Sequence, residues 1–401
     1  MRRVMVLVLG GMVLLAACHG QPADPTPTLS PLATLPASPL VTESPIPLPP
    51  PTTAGMIPPP VFTDPPPRPV DYIVVNATPP RRVPNALRDF WVTNCVTGEQ
   101  RQITARLRVQ TEHVAMWVED DVWHDVRLLA RAATLFETDI YSTTRLAFGS
   151  EWTPGIDNDP HIHILHATGL GHQVIGYMSV IDAFPQEHYP TSNQAEMIYV
   201  NADLVEINSP TYHALVANQF QRLIQWHQDS NESRWLKEGL AQLAVHLSGI
   251  EANHPQAAYM DRPDTSLTIW EEDRDAAHRG AAYLLAVYLH ERFGDAATQA
   301  LVAEPLNGIA GLDATLNDLT GLTFEHLYTA WLVANYLDSQ PAAAGRYGYR
   351  TLDVGPPALA AAIDAYPHTL GGTVSQFGAD YISLGGDEDL IVRFSGVTET
   401  R

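Results

Sequence analysis

Ala214-Leu215-Val216-Ala217-Asn218-Gln219-Phe220-Gln221-Arg222-Leu223-Ile224 is followed by the polar turn Gln228-Asp229-Ser230-Asn231-Glu232 and then by Trp235-Leu236-Lys237-Glu238-Gly239-Leu240-Ala241. Two helices joined by a tight turn account for this pattern. Ser209-Pro210 starts the first, with Ser as N-cap and Pro at the first helical position, where its missing N–H costs nothing. Val216, Phe220, Leu223 and His227 mark one face, and Leu215, Asn218, Gln219, Arg222 and Trp226 a neighbouring one. An otherwise apolar helix therefore carries a polar stripe at 218, 219 and 222. The second helix brings a carboxylate, Glu238.

Before this pair the chain reads as strands. Residues 87–95 and 103–110 pair around the Thr97-Gly98-Glu99 turn, with Ile103, Ala105, Leu107 and Val109 sharing one face. Cys95 is expected at the end of the first strand as a buried thiol. Residues 113–118 give a third strand. A helix capped by Asp120 or Asp121 runs to about residue 138, its stripe being Val122, Val126, Leu129, Ala133 and Phe136. Residues 149–160 form a loop with three aspartates or glutamates of the kind that hold calcium, but their spacing does not match a dedicated calcium loop, and a solvated turn is expected. On the strand His161-Ile162-His163-Ile164-Leu165-His166, His161 and His163 point the same way, about 6–7 Å apart. That spacing suits a metal pair, yet the expectation is an aliphatic face buried and imidazoles outward. Residues 197–200 form a strand just before the central helix, expected at the sheet edge.

After it, residues 277–293 form a helix closed by Gly294, and residues 309–319 and 324–337 form two more. Residues 379–384 and 390–395 suggest a hairpin across Gly385-Gly386. It either packs on the main body or begins a β-domain that continues beyond this sequence.

The 45 acidic and 23 basic residues give a net charge of −22. Such a surface repels phosphate backbones and anionic membranes, so nucleic-acid binding is excluded as an expectation. Arg2 and Arg3 precede an apolar run, residues 4–15, too short for a comfortable transmembrane helix and shaped as a signal peptide. It ends in Leu15-Ala16-Ala17-Cys18, which resembles a bacterial lipoprotein signal and makes Cys18 the expected lipidated residue. Cys95 then stands alone, so no intrachain disulfide is expected. The Pro, Thr, Ser and Ala of the following stretch bury little and predict an extended tether. The expected organisation is a lipoprotein signal over residues 1–17, a Pro-rich tether over 18–84, a folded domain over 85–350 and a C-terminal segment over 351–401.

The chemistry of the polar stripe follows from its spacing. Two imidazoles at i and i+4 of one helix reach a single zinc ion, the Glu beside the first takes a proton from the bound water, and a third ligand completes the set. Here 218, 219 and 222 are Asn, Gln and Arg. Carboxamides are weak zinc ligands, Gln219 cannot accept a proton at neutral pH, and Arg222 brings a permanent cation. His213 and His227 lie about 21 Å apart along the helix, and His246 lies about 12 Å along its own helix from Glu238, so neither rescues a site.

Phe220-Gln221, Asn231-Glu232 and 235–241 resemble the zinc-dependent neutral metallopeptidases of the thermolysin-like superfamily, in particular bacterial secreted or lipid-anchored members related to hyicolysin and immune inhibitor A. These carry His-Glu-Phe-Gln-His, then an Asn-Glu turn, then Trp-Leu/Val-Asn-Glu-Gly. Residues 149–166, 192–203 and 281–294 share the likeness, which covers roughly 87–395. It implies an α+β, zincin-like fold with an N-terminal mixed β-sheet, a C-terminal helical subdomain and a short C-terminal β-hairpin. It also implies that Glu238 stands at the third-ligand position and that His-Glu-x-x-His has become Asn-Gln-x-x-Arg. Arg279, in His278-Arg279-Gly280-Ala281, departs from a Tyr frequent in relatives.

Asn218, Gln219, Arg222 and Glu238 are thus expected as vestigial positions with no metal, no cofactor and no catalytic residue. Two arrangements of Arg222 stay open: paired with Glu238 in place of the metal, or turned to water. Three function classes remain: an inert peptidase homologue, lipid-anchored through Cys18 on the extracytoplasmic side of a bacterial membrane and holding extended peptides in the old cleft; an active zinc metalloendopeptidase with rearranged ligands; or a structural envelope lipoprotein.

Overall fold

The computed structural model describes the strand backbone of residues 3–10 and 13–17, and residues 73–252, 255–386 and 389–395. Cys18 and the Pro-rich stretch to residue 72 lie outside the described residues.

The architecture is α+β. Two N-terminal strands, β1 (Arg3–Gly10) and β2 (Val13–Ala17), belong to a small sheet described below. The main sheet is built from β3 (Leu87–Thr93), β4 (Gln100–Gln110), β5 (Val114–Glu119), β6 (Ile162–Ala167), β7 (Gly176–Met178) and β8 (Met197–Asn201), in the order β3-β4-β5-β6-β8-β7. It is mixed: β3–β4–β5 is an antiparallel meander, β5–β6 and β6–β8 are parallel, and β7 closes the edge antiparallel to β8.

Strands β5, β6 and β8 are buried on both faces, as strands covered on both sides must be, while β4 turns Thr104 and Arg106 outward. Met116, Ile164 and Ile198 face the helices, while Ala115, Leu165, Met197 and Tyr199 join Phe90 and Leu107 beneath the sheet. On β4, Ile103, Ala105 and Leu107 share the lower face as their alternation requires. Val109 packs with the helical side instead, because the register shifts between Leu107 and Val109; an extra residue there turns the following side chain to the other face.

Over the upper face lie α1 (Val126–Leu135), running through a π turn, Phe136–Tyr141, into α2 (Ser142–Phe148); α3 (Pro210–Gln228); and α4 (Arg234–Leu247). Asp125 caps α1, donors being Arg127 N–H, so the helix starts later than the Asp120 or Asp121 expected, and Val126 is left exposed at its first turn. Ser209 accepts from Tyr212 N–H with Pro210 at the helix start, as the sequence predicts. Phe220 is fully buried, edge-on to Phe136 and stacked on Tyr141 with centroids 5.5 Å apart in both cases. Burying such a ring contributes roughly 1.5–3 kcal/mol.

The helical subdomain follows: α5 (Gln256–Met260), α6 (Asp275–Ala303), α7 (Gly308–Thr320) and α8 (Phe324–Leu337). Gly294 does interrupt α6, at φ 75°, but the helix resumes beyond it.

The small sheet has the order β2-β1-β10-β9, with β9 (Leu359–Ile363) and β10 (Ala379–Gly386). The expected hairpin across Gly385-Gly386 is not formed. Both glycines continue β10, and residues 389–395 are not strand. The physical reason is that, in the chain that still carries residues 1–17, both edges of β10 are taken, by antiparallel β1 and by parallel β9, leaving no edge for a returning strand; cleavage before Cys18 would free the β1 edge. The C-terminal segment packs on the body: Ala358 N–H donates to Met260 O, Ala379 N–H to Pro263 O, and the Tyr328 and Tyr381 hydroxyls reach Gly378 O and Leu332 O.

Three further expectations change. Residues 197–200 are not at the edge; β8 is flanked by β6 and β7, and the three-residue β7 is the edge strand. Cys95 lies just beyond β3 in the turn and is only half buried, with burial raising its thiol pKa. The folded body begins before residue 85: Val75 N–H donates to Ile156 O and the Asn76 amide to Asp157 O, so the last part of the expected tether is docked.

Candidate functional site

The site is assembled where α3, α4 and α6 meet. Two glycines set the spacing. A Cβ at Gly239 would lie 2.5 Å from Ala282 O, and one at Gly280 would lie 2.4 Å from Pro255 O, so neither position admits a side chain. With Gly239 absent of bulk, α4 lies against the backbone of α6. The residues just before the two glycines, Glu238 and Arg279, meet across that contact.

Arg222 Nη2 lies 2.8 Å from Glu238 Oε1. Arg279 Nη1 engages the other oxygen, Oε2, in a close ion pair, and its Nε donates to Asp275 Oδ2 at 2.7 Å. Of the two arrangements open to Arg222, pairing with Glu238 is the one that occurs, and Arg279 doubles it. Each oxygen of Glu238 faces its own guanidinium. The network extends both ways. Arg222 Nε and Gln219 Nε2 each donate to Asn218 Oδ1 at 3.0 Å. At the other end Asp275 Oδ1 accepts from Trp270 Nε1 at 2.9 Å, and the Arg234 guanidinium stacks 4.4 Å over the Trp270 ring.

Glu238 is 7% exposed, whereas Asn218, Gln219 and Arg222 are half buried, so the clamp forms the floor of an open surface. Burial lowers the Lys237 pKa and the charge of Arg222 lowers it further, while Glu232, Asp229 and Glu238 pull the other way. For Arg279, burial is outweighed by Glu238 and Asp275, and its pKa is raised.

This donor set does not fit zinc. Asn218 Oδ1 already accepts two N–H bonds, the number its lone pairs allow. A dication reaching Glu238 would meet two fixed guanidinium charges at the ligand distance, and no imidazole is present at 218 or 222 to offset them. Gln219 supplies no proton acceptor of carboxylate strength beside that position.

A second cluster was not foreseen. The loop of residues 149–160 is not a solvated turn: Glu151, Asp157 and Asp159 are buried, as is Glu196 of the strand side. Asp157, Asp159 and His163 bring ligand-type atoms within 4.8 Å of one another, the arrangement of a metal site by residue type. Arg82 occupies it. Its Nε donates to Asp159 Oδ2 at 2.7 Å and its Nη2 to Asp157 Oδ2 at 3.0 Å, and it lies over the Trp117 ring at 5.6 Å.

His163 Nδ1 accepts from Trp117 Nε1–H at 3.0 Å, so the neutral ring keeps its proton on Nε2, the nitrogen facing the aspartates. A metal ligand needs that lone pair free and its other nitrogen donating; this histidine has the opposite tautomer. Burial presses the His163 pKa down to about 3 and pushes Asp157 up to about 6. Burial also raises Asp159, but hydrogen bonds from His161 and His163 outweigh it and hold that carboxyl well below its ordinary range.

The imidazoles expected outward are inward for the same reason that β8 is not an edge. His163 and His166 sit on a central strand with both faces covered. His166 donates from Nδ1 to Trp117 O at 2.8 Å and accepts from the Tyr212 hydroxyl at 3.0 Å, and burial lowers its pKa to about 4. The signal for Arg82 was faint: Arg81-Arg82 was a basic pair inside a Pro-rich stretch, with no periodicity to mark it as docked.

No protein-family model matches the chain. It is similar to the neutral metalloprotease ShpI of Staphylococcus hyicus, at 21% identity over 260 residues, covering 58% of this chain and 58% of that protein. The chain thus matches less than two thirds of that relative's length. The relationship is distant and at most metallopeptidase-like.

Proposed function

We propose that this chain is a zincin-like peptidase scaffold without hydrolytic activity, its zinc position taken over by a guanidinium clamp. The observation that carries the reading is the double engagement of Glu238 by Arg222 and Arg279. A metal that joins two helices through three ligands also holds them together; here one carboxylate and two arginines perform that joining. The clamp leaves Gln219 as a neutral group beside it, so neither a Lewis acid nor a general base is offered to a scissile peptide.

The open surface above the clamp takes an extended peptide by strand addition. Of the sheet's two edge strands, β3 and β7, the one that packs beside α3 is β7, Gly176–Met178. The chain is held at the extracytoplasmic face of a bacterial membrane by lipid on Cys18, with the Pro-rich stretch as spacer. Metabolic labelling with palmitate tests the anchor: label is expected in the wild type and absent in Cys18→Ala, and label retained by that variant would refute it.

Metal analysis tests the central claim. Asn218→His, Gln219→Glu and Arg222→His alone leave Arg279 on Glu238, so the full set adds Arg279→Tyr. Stoichiometric zinc is expected in the four-fold variant and absent from the wild type. Zinc in the wild type, together with chelator-sensitive casein cleavage, would establish the reading of an active peptidase with rearranged ligands instead.

A further inference from the structure

A cavity of about 650 Å³ lies away from the clamp, between α6 near Gly294, the first turns of α8 and residues 343–347. It shares no lining residue with the clamp. Phe293, Leu327 and Ala330 give it an apolar wall, and Arg292 and Arg346 a cationic one.

The two arginines lack acidic partners. Among the described residues no carboxylate lies within ion-pairing distance of either guanidinium, although the protein carries a net charge of −22 and Arg82, Arg222 and Arg279 are each paired with carboxylates. Arg292 Nη2 donates to Gly348 O at 2.7 Å and the guanidinium stacks 5.0 Å over Tyr288, yet its Nε is buried with no hydrogen-bond partner. Glu325, on the first turn of α8, is the one carboxylate lining the cavity, and it is exposed.

The rim is shaped by unusual backbone. Ala343 and Ala344 both sit in the left-handed region, at φ 48° and 56°, which non-glycine residues seldom adopt. Gly345 follows at φ 83°, where a Cβ would stand 3.6 Å from Arg292 Nη1. Strained backbone of this kind gathers at ligand clamps.

We propose that this cavity binds a small amphipathic carboxylate. Its apolar body lies against Phe293, Leu327 and Ala330, and its carboxylate is received by the outer nitrogens of the Arg292 and Arg346 guanidinium groups. The planar fork of arginine suits a carboxylate, and the volume is that of an ordinary small-molecule site.

The test is calorimetric titration of the full chain with decanoate and, separately, with decanol, in the wild type, Arg346→Met and Arg292→Met. Saturable decanoate binding is expected, with decanol weaker by about tenfold or more, the scale of one charge-assisted contact. Arg346→Met should weaken decanoate by about tenfold and leave decanol unchanged. Arg346 is exposed, so this variant is expected to fold even if Arg292→Met does not. The proposal is overturned by absence of saturable decanoate binding, by equal affinities for acid and alcohol, or by an Arg346→Met variant that binds decanoate like the wild type.

Discussion

Two places in this molecule put arginine where residue type or position would suggest a metal, and they differ in depth. At the clamp, Arg222 and Arg279 are 25% and 32% exposed in their side chains, against 9% for Glu238. At the inner cluster, Arg82 is 10% exposed, Asp157 6% and Asp159 4%. The clamp joins helices from different parts of the chain at the surface. The inner cluster fastens an N-terminal arm to a loop and neutralises carboxylates that have no water to turn to. The same guanidinium chemistry is therefore a modest tie in one place and close to a structural requirement in the other, because desolvation decides the worth of an ion pair.

The largest expected effect breaks that contrast if it fails. Arg82→Ala leaves Asp157 and Asp159 buried without their cation and should cost about 3–5 kcal/mol of unfolding free energy, read by urea denaturation. The loss should be partly relieved by Asp157→Asn, which removes a charge whose direct ion-pair partner is Arg82. A cost below about 1 kcal/mol, the range of a surface pair, would mean that water reaches the cluster and that the two sites are alike.

Next in size is the backbone contact that makes the clamp possible. Gly239→Ala places a methyl against Ala282 O and should cost about 1–3 kcal/mol, with Arg279 drawn off Glu238. A crystal structure or thermal melt of this variant reads both. An unchanged melting temperature would show that α4 and α6 can part cheaply, and that the clamp does not depend on their approach.

Smaller again is the clamp itself. A double-mutant cycle of Arg222→Ala and Glu238→Ala should give a coupling of about 1 kcal/mol. The same cycle for Arg279 should be similar, and the two are not additive because they share Glu238. A coupling of about 3 kcal/mol or more would place the clamp with the inner cluster in energetic terms.

How much of this was readable in the sequence follows the same division. The helix pair and its Ser209-Pro210 start were legible, since they rest on local spacing, whereas the Arg222–Glu238 pairing was one of two arrangements that the sequence left open. Arg279 was noted as a departure but its role was not, because only the Gly239–Ala282 contact brings it to Glu238. The inner cluster was read as solvated turn and outward imidazoles. Periodicity shows which side chains share a face; it does not show that the strand is central or that an arm from residues 73–84 covers the loop. The missing hairpin has a like cause, the strands that occupy both edges of β10 being distant in sequence.

Smallest in the wild-type curve is the dependence of stability on pH, because burial acts in opposite senses on the two kinds of group at the core. His163 and His166, depressed to about 3 and about 4, stay neutral in the fold while the unfolded chain takes up protons below about 6.5. Their contribution is lost as pH falls through that window. Asp157 and Asp182, raised by burial to about 6 and about 7, keep protons that the unfolded chain has released above about 3.9. Their contribution is lost as pH rises from there toward 6 and 7. Where the two windows overlap the slopes oppose each other, since the slope follows the difference in bound protons between unfolded and folded states. Asp182→Asn removes one proton from the folded side, so its unfolding free energy should climb more steeply with pH than that of the wild type between about 4 and 7. His163→Gln should tilt the other way between about 3 and 6.5, its carboxamide still able to accept from Trp117. Denaturation of the three proteins across that pH range reads the tilt. If the two variants change slope in the same direction, burial is not what sets these pKa values, and the depth that separates the inner cluster from the clamp loses its physical basis.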